Sequence, residues 1–133
     1  MLVDVVDGKR IAFIKAAHMQ SRCVSVIPKY RKKYKIDYAI YAPEYKGGIY
    51  YHELYHILYG SMSDDHEIDD SRDICEELSA DDYACEYVGA SVYVCELEYL
   101  ENMAGLIAST GWCKEDINSI SCNELKARIQ RLQ

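Results

Sequence analysis

His52-Glu53-Leu54-Tyr55-His56, lying between Gly47-Gly48 and Gly60, is the stretch on which the reading of this chain turns. Histidines four residues apart sit about 40° apart around a helix, so both imidazoles can reach one ion from one face. Glu53, one residue along, flanks such an ion instead of binding it. From there it can take a proton from a zinc-bound water, whose pKa the ion lowers to roughly 7. Ile49, Tyr50, Leu54, Ile57 and Leu58 supply an apolar face, which predicts an amphipathic helix running to about Tyr59 and ending at Gly60.

A zinc ion that does chemistry wants three protein ligands and one open position. The third ligand is expected on a neighbouring element, and Glu77-Leu78-Ser79-Ala80-Asp81 offers it. Glu77 and Asp81 are themselves four apart and share a helical face. Glu77 is therefore predicted to bind the metal, and Asp81 to accept the free ring N–H of a zinc-bound histidine, which fixes its tautomer and orientation. Adjacent helix residues point about 100° apart, so the neighbouring Glu76 is expected to face solvent. Ser71 is the expected cap of this second helix, which should end near Val88 at Gly89.

His-Glu-x-x-His followed about twenty residues later by Glu-x-x-Ala-Asp resembles the pattern of the gluzincin zinc metallopeptidases. Within that group "HELYHILYG" and "EELSADDYACEYVG" look most like the small ImmA/IrrE-type peptidases of bacteria, phages and mobile elements. The resemblance spans approximately residues 36 to 90. It implies a zincin-like fold, His52, His56 and Glu77 as zinc ligands, Glu53 as catalytic base and Asp81 as the acceptor behind a ligand. It also implies one specialised protein or peptide substrate, such as a repressor-like regulator. Membrane peptidases share Glu-x-x-Ala-Asp, but no apolar run of eighteen or more residues occurs here. Two departures stand out. Tyr55 replaces the family's usual small residue, and is expected to crowd a strand crossing the helix or to occupy substrate space. Gly89-Ala90-Ser91-Val92 replaces its usual Pro-containing segment.

The length of 133 residues predicts a single domain over residues 1–133, and the 50% apolar content excludes a disordered chain. The N-terminus carries no charged-then-apolar export pattern, which predicts a cytoplasmic protein whose six cysteines stay thiols. No Cys-x-x-Cys pair points to a thiolate zinc site. Charge is uneven. Residues 1–46 hold ten Lys/Arg against four Asp/Glu, about +6, whereas residues 47–113 hold one against fifteen, about −14. An acidic surface around a metal cleft favours a basic or extended peptide and disfavours nucleic acid as partner. Lys29-Tyr30-Arg31-Lys32-Lys33-Tyr34-Lys35 is the only nucleic-acid-like stretch, and a solvated helix or loop is the plainer expectation for it.

Elsewhere, Asp7-Gly8-Lys9-Arg10 between two β-rich runs predicts a hairpin. Met19 to Lys35 is ambiguous, although Pro28 can open a short helix. Ile36 to Tyr41 reads as a strand, either a sheet edge for an extended substrate or, equally, an ordinary core strand. Acidic Ser63 to Asp70 reads as a solvated connection. Ser91 to about Ala108 and Asn123 to Leu132 read as two further helices, with a turn at Gly111-Trp112 and a short helix at Lys114 to Ile120 between them. The expected architecture is α+β, a small mostly antiparallel sheet packed on helices that carry the metal site. The expected reaction is zinc-assisted peptide hydrolysis, with His66, Arg72, Tyr55 and other tyrosines as candidate oxyanion donors. Two other classes remain open. One is a catalytically weak or inactive zincin-fold binding protein, and the other a nucleic-acid-associated regulator that uses Lys29 to Lys35.

Overall fold

The computed structural model of the protein describes residues 2–64, 74–110 and 122–133. Its strands are β1 (Leu2–Val6), β2 (Lys9–Lys15), β3 (Arg22–Ser25) and β4 (Tyr38–Ala42). Its α-helices are α1 (Pro28–Tyr34), α2 (Gly48–Leu58), α3 (Ile74–Val88), α4 (Ala90–Thr110) and α5 (Cys122–Leu132), with 3-10 turns at His18–Gln20 and Ser61–Asp64. The architecture is α+β.

The hairpin forms where the sequence predicts it. Asp7 and Gly8 both take positive φ, 50° and 78°, the two-residue turn whose twist matches that of paired strands. The once ambiguous segment resolves into a 3-10 turn, β3 and the Pro28-initiated α1. The sheet order is β1-β2-β4-β3, with β2 and β4 parallel and the outer pairings antiparallel, so the sheet is mixed. Of the two readings of Ile36 to Tyr41, the sheet edge is therefore wrong and the core strand holds. β4 is an inner strand with partners on both sides, and the edges are β1 and β3. The physical signal was present: Tyr38, Ala39, Ile40 and Ala42 are all buried, the near-continuous apolar run of a strand covered on both faces.

Alternate residues divide the sheet. Ile11, Phe13, Tyr38, Ile40 and Cys23 point into the main core with Ile49, Leu54 and Ile57 of α2 and Tyr93, Leu97 and Leu100 of α4. Ala12, Ala39, Val24 and Tyr41 point to the other side, into a small cluster with Ile36.

α2 starts tightly under α4. A Cβ added at Gly48 would lie 2.1 Å from Glu96 Oε2 and 2.6 Å from Tyr93 Cδ1, so only glycine fits. The Glu96 carboxylate is packed against the first turn of α2, and burial pushes its pKa up, opposed by the nearby Gly48 and Ile49 N–H groups. α2 ends at Leu58 with Tyr59 as its C-cap, within a residue of the prediction, and α3 ends at Val88 before Gly89, which takes φ +90°. The expected cap Ser71 and the segments 65–73 and 111–121 lie outside the described residues.

Candidate metal centre

α2 and α3 make the largest helix-to-helix contact in the core, and they bring their charged faces together. His52, His56 and Glu77, all buried, offer ligand atoms that lie within 4.8 Å of one another, so this group could hold a metal ion. The Nε2 atoms of the two histidines are 3.2 Å apart. Glu77 meets both, with Oε2 3.4 Å from His52 Nε2 and Oε1 2.9 Å from His56 Nε2. Two imidazole nitrogens and one carboxylate, converging from four-residue and cross-helix spacings, are a donor set of the kind that holds a divalent transition-metal ion.

Each ring is oriented from behind through its other nitrogen. His52 Nδ1 lies 2.9 Å from Asp81 Oδ1, as the four-residue spacing from Glu77 predicts. His56 Nδ1 is held by the Glu76 carboxylate in a short contact. This corrects the expectation that Glu76 faces solvent. Glu76 and Glu77 straddle one imidazole, Glu76 on its Nδ1 side and Glu77 on its Nε2 side, so both adjacent residues face the same histidine. Glu76 is itself fixed by the Ser61 backbone N–H, 2.6 Å from Oε1, and by the Ser61 hydroxyl. A Cβ at Gly60 would come within 2.6 Å of the Glu76 carboxyl carbon, so the helix-ending glycine also gives this carboxylate its room.

Asp81 is fully buried and carries more than one bond. Arg128 of α5 donates to it twice, Nε to Oδ2 at 2.8 Å and Nη2 to Oδ1 at 2.7 Å, and the Tyr93 hydroxyl of α4 donates to Oδ1. The remaining Arg128 nitrogen, Nη1, is buried and 3.7 Å from Glu77 Oε2. Sequence reasoning missed Arg128, Tyr93 and Glu76. Arg128 lies 47 residues from Asp81, and no local spacing announces it.

From the protein's own charges alone, the centre strongly favours positive charge. Burial would push the His52 imidazole down, but the carboxylates of Asp81 and Glu77 outweigh it and raise it to about 10. Burial would likewise raise Glu77 and Asp81. Bonds from the two histidines hold Glu77, and bonds from Arg128 and His52 hold Asp81, far below the usual carboxylate range. A proton and a metal cation therefore compete for the His52 imidazole. Tyr93 is pushed well above a normal phenol by burial and by Asp81, so it acts as a neutral donor.

Glu53 is buried beside the ligands and lines a cavity of about 40 Å³ with His52, Tyr93 and Arg128. Its other walls include His18, Met19, Ile49, Leu97 and Leu125. Of the expected oxyanion donors, His66 and Arg72 lie outside the described residues. Tyr55 packs against Tyr59 and Tyr83, with ring centroids 5.5 and 5.7 Å away, rather than against a strand or in the cavity. The polar groups in the cavity wall are instead His18, Ser21, Tyr93 and Arg128, together with His52 and Glu53. The described cysteines Cys23, Cys75, Cys85 and Cys95 are not in disulfides, and no helix among the described residues is long and apolar enough to cross a membrane.

Compared with protein families, with curated proteins and with solved structures, the chain matches none.

Proposed function

We propose that the protein is a zinc-dependent metallopeptidase that cleaves a specific protein or peptide. The observation that carries this reading is the convergence of His52 Nε2, His56 Nε2 and Glu77, each ring held through its Nδ1, with Glu53 in the wall of the adjoining cavity. Zinc bound there would supply Lewis-acid polarisation of a peptide carbonyl and would acidify a water. Glu53 takes the proton as water oxygen bonds to the carbonyl carbon, and passes it to the amide nitrogen as the C–N bond breaks. Asp81 and Glu76 keep each imidazole with its Nδ1 proton in place, so that Nε2 presents its lone pair. Arg128 keeps Asp81 ionised and immobile. An extended substrate would add as a strand to β3, the sheet edge against which α2 packs.

A second reading keeps the metal for structure and makes the protein a binding module. It is favoured by the size of the cavity beside Glu53, about 40 Å³, which is room for a few waters and too small for a peptide segment. Peptide-library cleavage by the wild type and by Glu53→Gln, both loaded with zinc, separates the two. The peptidase reading expects cleavage by the wild type and a loss of orders of magnitude in the variant at unchanged metal content. A Glu53→Gln protein as active as the wild type would contradict it.

A further inference from the structure

Charge is spread unevenly along this chain. Between Asp7 and Asp37 it has nine Lys/Arg and no carboxylate. Their densest run is α1 with the residue that follows it, at the end of the sheet where β3 passes to β4. Pro28 in the first turn and Lys35 in the left-handed conformation bound the helix, and none of its residues is buried. Arg31 anchors it, donating to Val26 O at 2.9 Å and Ser25 Oγ at 2.7 Å. The other cations, Lys29, Lys32, Lys33 and Lys35, have no carboxylate partner among the described residues. Tyr30 and Tyr34 lie one turn apart, 36% and 57% exposed, with ring centroids 5.9 Å apart. Lys29 Nζ lies 4.9 Å from the Tyr30 centroid and Lys33 Nζ 5.3 Å from that of Tyr34.

We infer that α1 is a docking site for single-stranded nucleic acid, with Tyr30 and Tyr34 stacking on bases and Lys29, Lys32, Lys33 and Lys35 meeting phosphates. Each exposed phenol ring offers a face to a base, and the cation beside each ring sits where a backbone phosphate would pass. A duplex hides its base faces within the stack and an acidic peptide brings no rings to stack, so neither would use the tyrosines. The acidity that argues against nucleic acid belongs to residues 47–113, which include α2 and α3. The metal centre repels a polyanion while α1 attracts it.

The test is fluorescence anisotropy with a labelled oligo(dT) of about 12 nucleotides against a duplex of equal length, over a range of salt. Saturable binding of the single strand is expected, tighter than of the duplex, with log K falling against log salt with a slope of about −3 for four phosphate contacts. Replacing both tyrosines (Tyr30→Ala, Tyr34→Ala) should weaken it about 10- to 100-fold at an unchanged slope, while Tyr30→Phe with Tyr34→Phe keeps it. Lys32→Gln with Lys33→Gln should lower the slope by about 1.4. No binding at about 50 mM salt, equal or tighter duplex binding, equal competition by poly-glutamate, or indifference to tyrosine truncation would each overturn the inference.

Discussion

The two histidines of the centre are held by different kinds of structure. His52 rests on Asp81, which has no exposure and is fixed by Tyr93 from α4 and Arg128 from α5. His56 rests on Glu76, whose side chain is 19% exposed and which is fixed by Ser61, five residues beyond His56 itself. The first arrangement ties a ligand to the far end of the chain through buried charges. The second is a local turn made possible by Gly60. Buried charges compensate one another only as a complete set, so the His52 side should fail steeply when one member is removed and the His56 side should fail gradually.

Arg128→Met is the largest break. It leaves Asp81 and Glu77 buried without their shared cation, and should destabilise the fold by about 3–5 kcal/mol, read by denaturant unfolding. A loss under about 1 kcal/mol would mean that the network does not hold α5. Asp81→Asn, which keeps the shape and removes the charge, should weaken metal binding about 10- to 100-fold in a competition titration. Glu76→Ala should weaken it about tenfold with only a small change in stability, because its partner Ser61 is solvent-exposed. An unchanged affinity would restore the sequence-based expectation that Glu76 merely faces water.

The smallest effect lies outside the centre and calibrates the rest. Asp37 accepts two side-chain bonds from Arg10, which hold its carboxyl below the usual range against the opposing effect of burial. Its folded pKa is depressed, so its stabilisation is present above the unfolded value of about 3.9 and is lost as pH falls through the folded one. The pair is partly exposed and salt-screened. Asp37→Asn should therefore produce a barely measurable drop in stability at pH 7 that shrinks as acid protonates the folded carboxyl, followed by thermal melting at pH 7 and in acid.

What could be read from the sequence was local. The hairpin at Asp7-Gly8, the stop of α2 before Gly60 and the shared faces of His52 with His56 and Glu77 with Asp81 all follow from two- to four-residue spacings. Arg128 and Tyr93 were out of reach because they meet Asp81 only after α4 and α5 have folded back onto α3. Glu76 was misjudged because helical geometry fixes the angle between neighbours but not where an opposing imidazole sits between them. The position of β4 inside the sheet depends on the parallel pairing with β2, which no turn signal encodes, although the buried run from Tyr38 to Ala42 hinted at it.

The most direct measurement is zinc content per chain by elemental analysis of the purified protein, alongside Glu77→Ala and His56→Ala. One zinc per wild-type chain is predicted, with stoichiometric zinc lost in both variants while the far-UV dichroism stays native. A wild type without zinc, or variants that keep it in full, would contradict the assignment of His52, His56 and Glu77 as its ligands.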